Sequence, residues 1–162
     1  MTKNKGKKIL FLDRDGVINK KAAEHEYVTR VEDFIFNEGI FQILENYKKN
    51  GYEFIVITNQ RGVARGKLKE SDLSNIHSHM ISVLQSKNIE VLDIFYCPHE
   101  NGACSCRKPS PGMIVMALDK YNINIKESAL ISDSLEDIRM GRDVGIGKNI
   151  LLKTDSLEIL NY

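Results

Sequence analysis

Four aspartates, a threonine and a lysine carry the first chemical signal in this chain. Asp13 and Asp15 stand two apart in FLDRDGVIN, Thr58 opens TNQRGVARG, Lys108 lies in CRKPSPGM, and Asp133 and Asp137 stand four apart in SDSLEDI. With an ordinary pKa of about 3.9, an aspartate is already an anion at neutral pH, so Asp13 can attack phosphorus without a base to activate it. Residues two apart in an extended chain point the same way, which aims Asp13 and Asp15 at a common point. Asp15 can then protonate the departing oxygen and later take a proton from the attacking water. Neighbouring carboxylates repel unless a cation joins them or one is protonated, and Asp133 supplies a further oxygen for a hard cation, Mg2+. Asp137, one helical turn on, reads as an acceptor behind the ligands. Thr58 and Lys108 offer a hydroxyl and a positive charge to the phosphoryl oxygens where transition-state charge gathers. Gly16 lets the chain turn away without crowding the phosphate. Each acid taken alone is better read as a turn or cap residue. The ordered set, each member after an apolar run, reads as a site for phosphate-monoester hydrolysis.

A second cluster has a different chemistry. All three cysteines fall in CPHENGACSC, and Cys97, His99, Cys104 and Cys106 have the spacing C-x-H-x4-C-x-C. An odd cysteine count leaves a thiol over in any disulfide scheme. Four soft or borderline ligands suit tetrahedral Zn2+ and leave no open position for a reacting water, so the zinc is structural. Lys108 follows two residues after the last ligand, and clamping the loop therefore also positions Lys108 and Arg107.

The elements that must carry these groups alternate. Short apolar, β-branched runs at KILFL, FIVI, VLDIFY, ALIS and NILL read as buried strands. Between them, Ile40, Ile43, Leu44 and Tyr47 mark a helix that stops at Asn50-Gly51. Ser71 is the expected cap of a second helix that turns Leu73, Ile76, Met80, Val83 and Leu84 inward. Ser110-Pro111 starts a third, and a fourth runs from Leu135 to Val144. This order predicts an α/β fold, a doubly wound, Rossmann-like and mostly parallel sheet with helices on both faces. Ligands of such sheets bind beyond the carboxyl ends of the strands, where every candidate group falls. No long insertion separates the motifs, so no cap domain covers the site.

At 162 residues, one domain over 1–162 is expected, with residues 1–7 as a flexible basic tail. A formal net charge of +1 gives no global field for nucleic acid or membrane. The apolar run after the basic start meets Asp13 too soon for a signal peptide or a membrane span. The expected protein is a cytoplasmic monomer acting on a small phosphorylated molecule, with no nucleic-acid or membrane partner.

DRDGVIN, TNQRGVARG, CRKPSPGM and SDSLEDI resemble the four motifs of the haloacid dehalogenase-like phosphatases, from about Ile9 to Leu152. More narrowly, they resemble the branch that holds the heptose-bisphosphate phosphatases and the histidinol-phosphate phosphatases. The resemblance implies Asp13 as nucleophile, Asp15 as acid and base, Thr58 and Lys108 as phosphoryl stabilisers, and Mg2+ on Asp13, Asp133 and the backbone carbonyl of Asp15. It also implies zinc in the cysteine loop.

Loops must recognise the substrate. The candidates are Glu24 and Tyr27, Asn59, Gln60, Arg61 and Arg65, Arg107 for a second phosphate, and Ser134. His25 reads as a loop residue, and His77 and His79 as surface residues. The resemblance favours a heptose bisphosphate, although Ser132-Asp133-Ser134 stands where the heptose enzymes usually show Gly-Asp-Lys. Histidinol-phosphate hydrolysis is the alternative enzyme. A zinc-stabilised nucleic-acid module, one acting on 3′-phosphate ends, is the alternative of another class.

Overall fold

The computed structural model describes residues 5–153 and 158–161. Its elements run β1 (Lys8–Leu12), α1 (Ile40–Lys49), β2 (Tyr52–Asn59), α2 (Glu70–Ser86), β3 (Val91–Cys97), α3 (Gly112–Lys120), β4 (Ala129–Ser132), α4 (Leu135–Asp143), β5 (Lys148–Lys153) and β6 (Glu158–Asn161). Each of the five expected strands is present. The sheet order is β3-β2-β1-β4-β5-β6, parallel through β5, with β6 antiparallel on the far edge. β6 had no counterpart in the sequence reading.

Alternation along the strands divides the core into two layers. Leu10, Leu12, Phe54, Val56 and Ile131 face α1 and α2 through Ile40, Leu44, Leu73, Ile76, Met80 and Leu84. Ile9, Phe11, Ile55, Ile57 and Leu130 face the other way, onto Met113, Ile114 and Ala117 of α3 and Met140 of α4. β1, β2, β4 and β5 are largely buried and read as continuous apolar runs, whereas β3, on the sheet edge, is mostly half-buried and not the buried strand its sequence suggests. β1 pairs with β2 on one side and β4 on the other, so the chain order reverses there. In sheets of this kind the ligand crevice lies at that switch point, here above the ends of β1 and β4. Between β1 and α1 lies a loop with one 3-10 turn, Val31–Asp33, and no inserted domain.

Three local expectations are corrected. α2 begins at Glu70, before Ser71, because the Asp72 carboxylate accepts the Lys69 backbone N–H at 2.8 Å. α3 begins at Gly112 with Pro111 as its N-cap and no side-chain capping bond, one residue after the expected start. Residues 1–4 of the expected basic tail lie outside the described residues. Lys7 is no part of a loose tail: its N–H donates to Asn122 O, its carbonyl accepts from Asn124 N, and its ammonium meets Glu53.

Candidate active site and zinc loop

β1 delivers Asp13 to the crevice while its backbone N–H still donates to Ile131 of β4. The extended alternation then ends. The Arg14 carbonyl accepts from the N–H groups of Val17, Ile18 and Asn19, and Gly16 takes φ 90°, a left-handed conformation open to glycine. A Cβ on Gly16 would come within 2.3 Å of Asp133 Oδ2, so this turn tolerates no side chain.

Because the chain turns here, the two N-terminal carboxylates have separate partners. Asp13 Oδ1 accepts from Lys108 Nζ at 2.9 Å and from Arg14 N at 2.8 Å. Asp15 is held by Arg14 Nη2 at 2.8 and 3.0 Å, by Asn19 Nδ2 at 2.9 Å and by Gln60 Nε2 at 2.9 Å. Burial works against the Asp15 charge, but Arg14, Asn19 and Gln60 outweigh it and keep the pKa below the ordinary value. Burial pushes Asp13 up to about 6; Lys108 opposes the rise, and the charges of Asp137 and Asp133 add to it.

Lys108 is almost fully buried and reaches Asp137 Oδ2 at 2.6 Å as well as Asp13. Asp137 is thus the acceptor behind the site that the helical spacing predicted, one turn into α4. Ser132 Oγ donates to the same Asp137 oxygen at 2.8 Å, accepts the Ser134 N–H at 3.2 Å, and lies 3.4 Å from Asp13 Oδ2. Thr58, at the end of β2, is buried and its hydroxyl oxygen accepts from Gln60 Nε2 at 2.8 Å.

Asp133 differs from its neighbours. Its Oδ2 pairs with Lys21 Nζ at 2.5 Å, whereas its Oδ1 is buried with no partner. A bare carboxylate oxygen is costly to bury and is what a hard cation would complete, and the Asp133 charge is felt at Asp13. Asp13, Asp133 and the Asp15 backbone therefore fit Mg2+ by donor chemistry.

The second cluster is saturated. Cys97 Sγ, His99 Nδ1, Cys104 Sγ and Cys106 Sγ all lie within 4.8 Å of one another, with close pairs at 3.3 to 3.5 Å. Zn–S bonds of about 2.3 Å in a tetrahedron imply edges of roughly 3.7 Å, so the four atoms suit one zinc. The loop is fastened to its surroundings by backbone. Gln60 N donates to Cys97 O at 2.7 Å and Ala64 N to Pro98 O at 3.1 Å. Gly112 lets the start of α3 press on the loop, since a Cβ there would sit 2.3 Å from Ser105 O.

Several expected substrate contacts are spent inside the protein. Asn59 donates from Nδ2 to Lys108 O and accepts Lys108 N–H at Oδ1, both at 3.0 Å, clipping the lysine segment to β2. Gln60 bridges Asp15 and Thr58. Arg61 and Arg65 both pair with Glu100 of the zinc loop, at 3.2 and 2.9 Å, and Arg65 Nη1 also lies 3.5 Å from the Tyr27 hydroxyl. Glu24 is exposed beside His25. Arg107 keeps a buried Nη1 without a partner.

His77 is not a surface residue. It is buried on α2, and its Nε2 lies 3.2 Å from Arg14 Nη1. A guanidinium only donates, so Nε2 accepts and the ring is neutral. Burial, reinforced by the Arg14 charge, lowers its pKa to about 4, with Asp15 opposing. The signal was present: position 77 shares the inward stripe of 73, 76, 80 and 84.

Residues 8–137 match the family model described as polynucleotide kinase 3 phosphatase. The chain is 43% identical over 155 residues to the D-glycero-alpha-D-manno-heptose-1,7-bisphosphate 7-phosphatase of Photorhabdus laumondii, covering 91% of this chain and 83% of that protein. It is 40% identical over 151 residues to the Campylobacter jejuni enzyme of the same name, covering 93% and 86%. A crystal structure of D,D-heptose 1,7-bisphosphate phosphatase from B. bronchiseptica, complexed with magnesium and phosphate, aligns with a TM-score of 0.78 and 32% identity, covering 85% of this chain and 76% of that one. Among the described residues, no helix is long and apolar enough to cross a membrane.

Proposed function

The chain belongs to the polynucleotide kinase 3 phosphatase family of haloacid dehalogenase-like phosphatases, and from that premise we propose that it removes the 7-phosphate of D-glycero-D-manno-heptose 1,7-bisphosphate. Both relatives above are named for the alpha anomer, which makes it the first anomer to test. One observation carries the chemistry. Lys108 ties Asp13 to Asp137 while the neighbouring Asp133 keeps a buried oxygen bare.

Asp13 attacks phosphorus as the bond to the sugar oxygen breaks, and Asp15 gives that oxygen a proton. Water then attacks the aspartyl-phosphate, Asp15 takes its proton, and Asp13 is restored. Bound Mg2+ would screen the phosphate from the carboxylates and draw charge from its oxygens. Lys108 and the Thr58 hydroxyl face the same developing charge. Arg14 and Gln60 hold Asp15 ionised at rest, the form the second half-reaction needs. An arriving phosphate dianion raises its proton affinity, the sense that acid catalysis requires.

Arg107 is the side chain we assign to the second phosphate, because its buried Nη1 lacks a partner. Arg61 and Arg65 would first have to release Glu100. We propose a cytoplasmic location for the enzyme; three free cysteines support this reading, because they suit a reducing compartment.

The test is phosphate release, with Mg2+, from both anomers of the heptose bisphosphate, from histidinol phosphate and from a 3′-phosphorylated oligonucleotide. The expected kcat/KM favours a heptose bisphosphate by about tenfold or more. Preference for histidinol phosphate or for the oligonucleotide would overturn the substrate assignment and leave the phosphatase assignment standing.

A further inference from the structure

Lys21 is a cation at the mouth of the crevice that the chemistry above leaves unused. Its ammonium lies 2.5 Å from Asp133 Oδ2, and its side chain is 57% exposed, against 4% for Lys108. The stem is seated on the turn after β1, for a Cβ at Gly16 would fall 3.1 Å from Lys21 Cε.

Charge arithmetic shows what this lysine can do. The carboxylates of Asp13, Asp15, Asp133 and Asp137 surround the site, and the buried cations among them are Lys108 and Arg14. Two cations against four anions leave two negative charges. One divalent cation cancels that excess and leaves no net attraction for a phosphate dianion. Lys21 supplies the additional positive charge. Lys21 is the exposed member of its pair and can be resolvated as it leaves Asp133, whereas Lys108 is locked between two acids.

We propose that Lys21 is a substrate-binding residue that passes from Asp133 to the oxygens of the transferred phosphate once the carboxylate is shared with a divalent cation. This rests on the phosphatase reading. Lys21 and the cation compete for Asp133, yet both attract phosphate. Removing the ammonium therefore has effects of opposite sign on the two ligands.

The experiment compares the unaltered chain with Lys21→Met and Lys21→Arg. Mg2+ is titrated calorimetrically without substrate, inorganic phosphate is titrated with Mg2+ saturating, and kcat and KM are measured separately. In Lys21→Met, Mg2+ binds several-fold tighter, and phosphate binds about tenfold more weakly. KM rises by a similar factor while kcat falls less, and Lys21→Arg recovers most of the phosphate affinity. Unchanged phosphate affinity would overturn the proposal and leave Lys21 as a competitor of the metal only. Joint weakening of Mg2+ and phosphate would also overturn it, by showing that Lys21 merely props Asp133. Failure of the phosphatase reading is distinct: the unaltered chain would release no phosphate, while the phosphate titration would still report on Lys21.

Discussion

The carboxylate crevice and the zinc loop supply neighbouring parts of one site, yet they handle charge in opposite ways. In the loop, four soft ligands converge within 4.8 Å and can satisfy one zinc completely. In the crevice, hard oxygens converge with bonds left over: Asp133 Oδ1 is buried without a partner, and Asp13 is raised to about 6 by burial, against the pull of Lys108. A saturated cluster fixes geometry. An unsaturated one keeps its unmet valence for a cation and a substrate, at a cost in stability that the rest of the fold offsets.

The largest effect should come from separating charge from shape in the crevice. Asp13→Asn removes the nucleophile while keeping its volume, and kcat/KM is expected to fall by about 10⁴-fold or more. Metal-free thermal stability should not fall with it, since the fold disfavours the ionised form of Asp13. A variant that retains more than about a tenth of the activity would remove Asp13 from the reaction.

The mirror experiment is Cys97→Ser. Cys97 is buried at the end of β3, and its carbonyl also holds Gln60. Zinc should fall from one per chain towards none, stability should drop by about 3 kcal/mol or more, and activity should decline through displacement of Lys108. Metal analysis, denaturant unfolding and turnover check the three parts. Unchanged stability together with unchanged zinc content would break the comparison, since the loop would then not depend on its ligands.

The two regions were also unequally legible. The zinc ligands lie within ten positions, so spacing alone exposed them. The crevice acids could be read because each follows a buried strand. What escaped was partner choice across long separations. Nothing in the sequence says that the Asn59 amide clips the Lys108 backbone 49 positions away, or that Glu100 takes Arg61 and Arg65. Polar residues after a strand read as substrate contacts from the sequence, and the structure adds the internal ties that Asn59, Gln60, Arg61 and Arg65 make. The strand Glu158–Asn161 had no reading in the sequence because four residues are too short for a periodic signal; it is recognised by its antiparallel pairing with β5. His77 differs: its position shares the buried stripe of Leu73, Ile76, Met80 and Leu84, but a polar side chain on an apolar stripe reads as a surface residue until its partner is known.

His77 gives the next largest effect, because it supports the crevice from below through Arg14 and Asp15. Its folded pKa of about 4 lies below the ordinary 6.5. Between those values the unfolded chain binds the extra proton, so this contribution is complete above pH 6.5, is lost as pH falls towards 4, and is flat below. The loss amounts to about 3 kcal/mol. Unfolding of the unaltered chain and of His77→Gln should therefore differ more at pH 7 than at pH 4.5. A gap independent of pH would mean that the ring is not held neutral by its site.

The smallest effect tests how far the crevice tolerates change among its supports. Ser132 gives its proton to Asp137 and accepts the Ser134 N–H, so Ser132→Ala leaves one half-buried donor without its partner. Asp137 keeps Lys108, however, and Asp13 keeps both Lys108 and the Arg14 N–H. The expected cost is about 1 kcal/mol, a shift of roughly 2 to 4 °C in melting temperature, with kcat/KM reduced less than tenfold. A loss near 100-fold at unchanged stability would move Ser132 from support to reaction. Its 3.4 Å approach to Asp13 Oδ2 would then be a contact that tunes the nucleophile, and the boundary between the reacting groups and their scaffold would run through β4 rather than behind it.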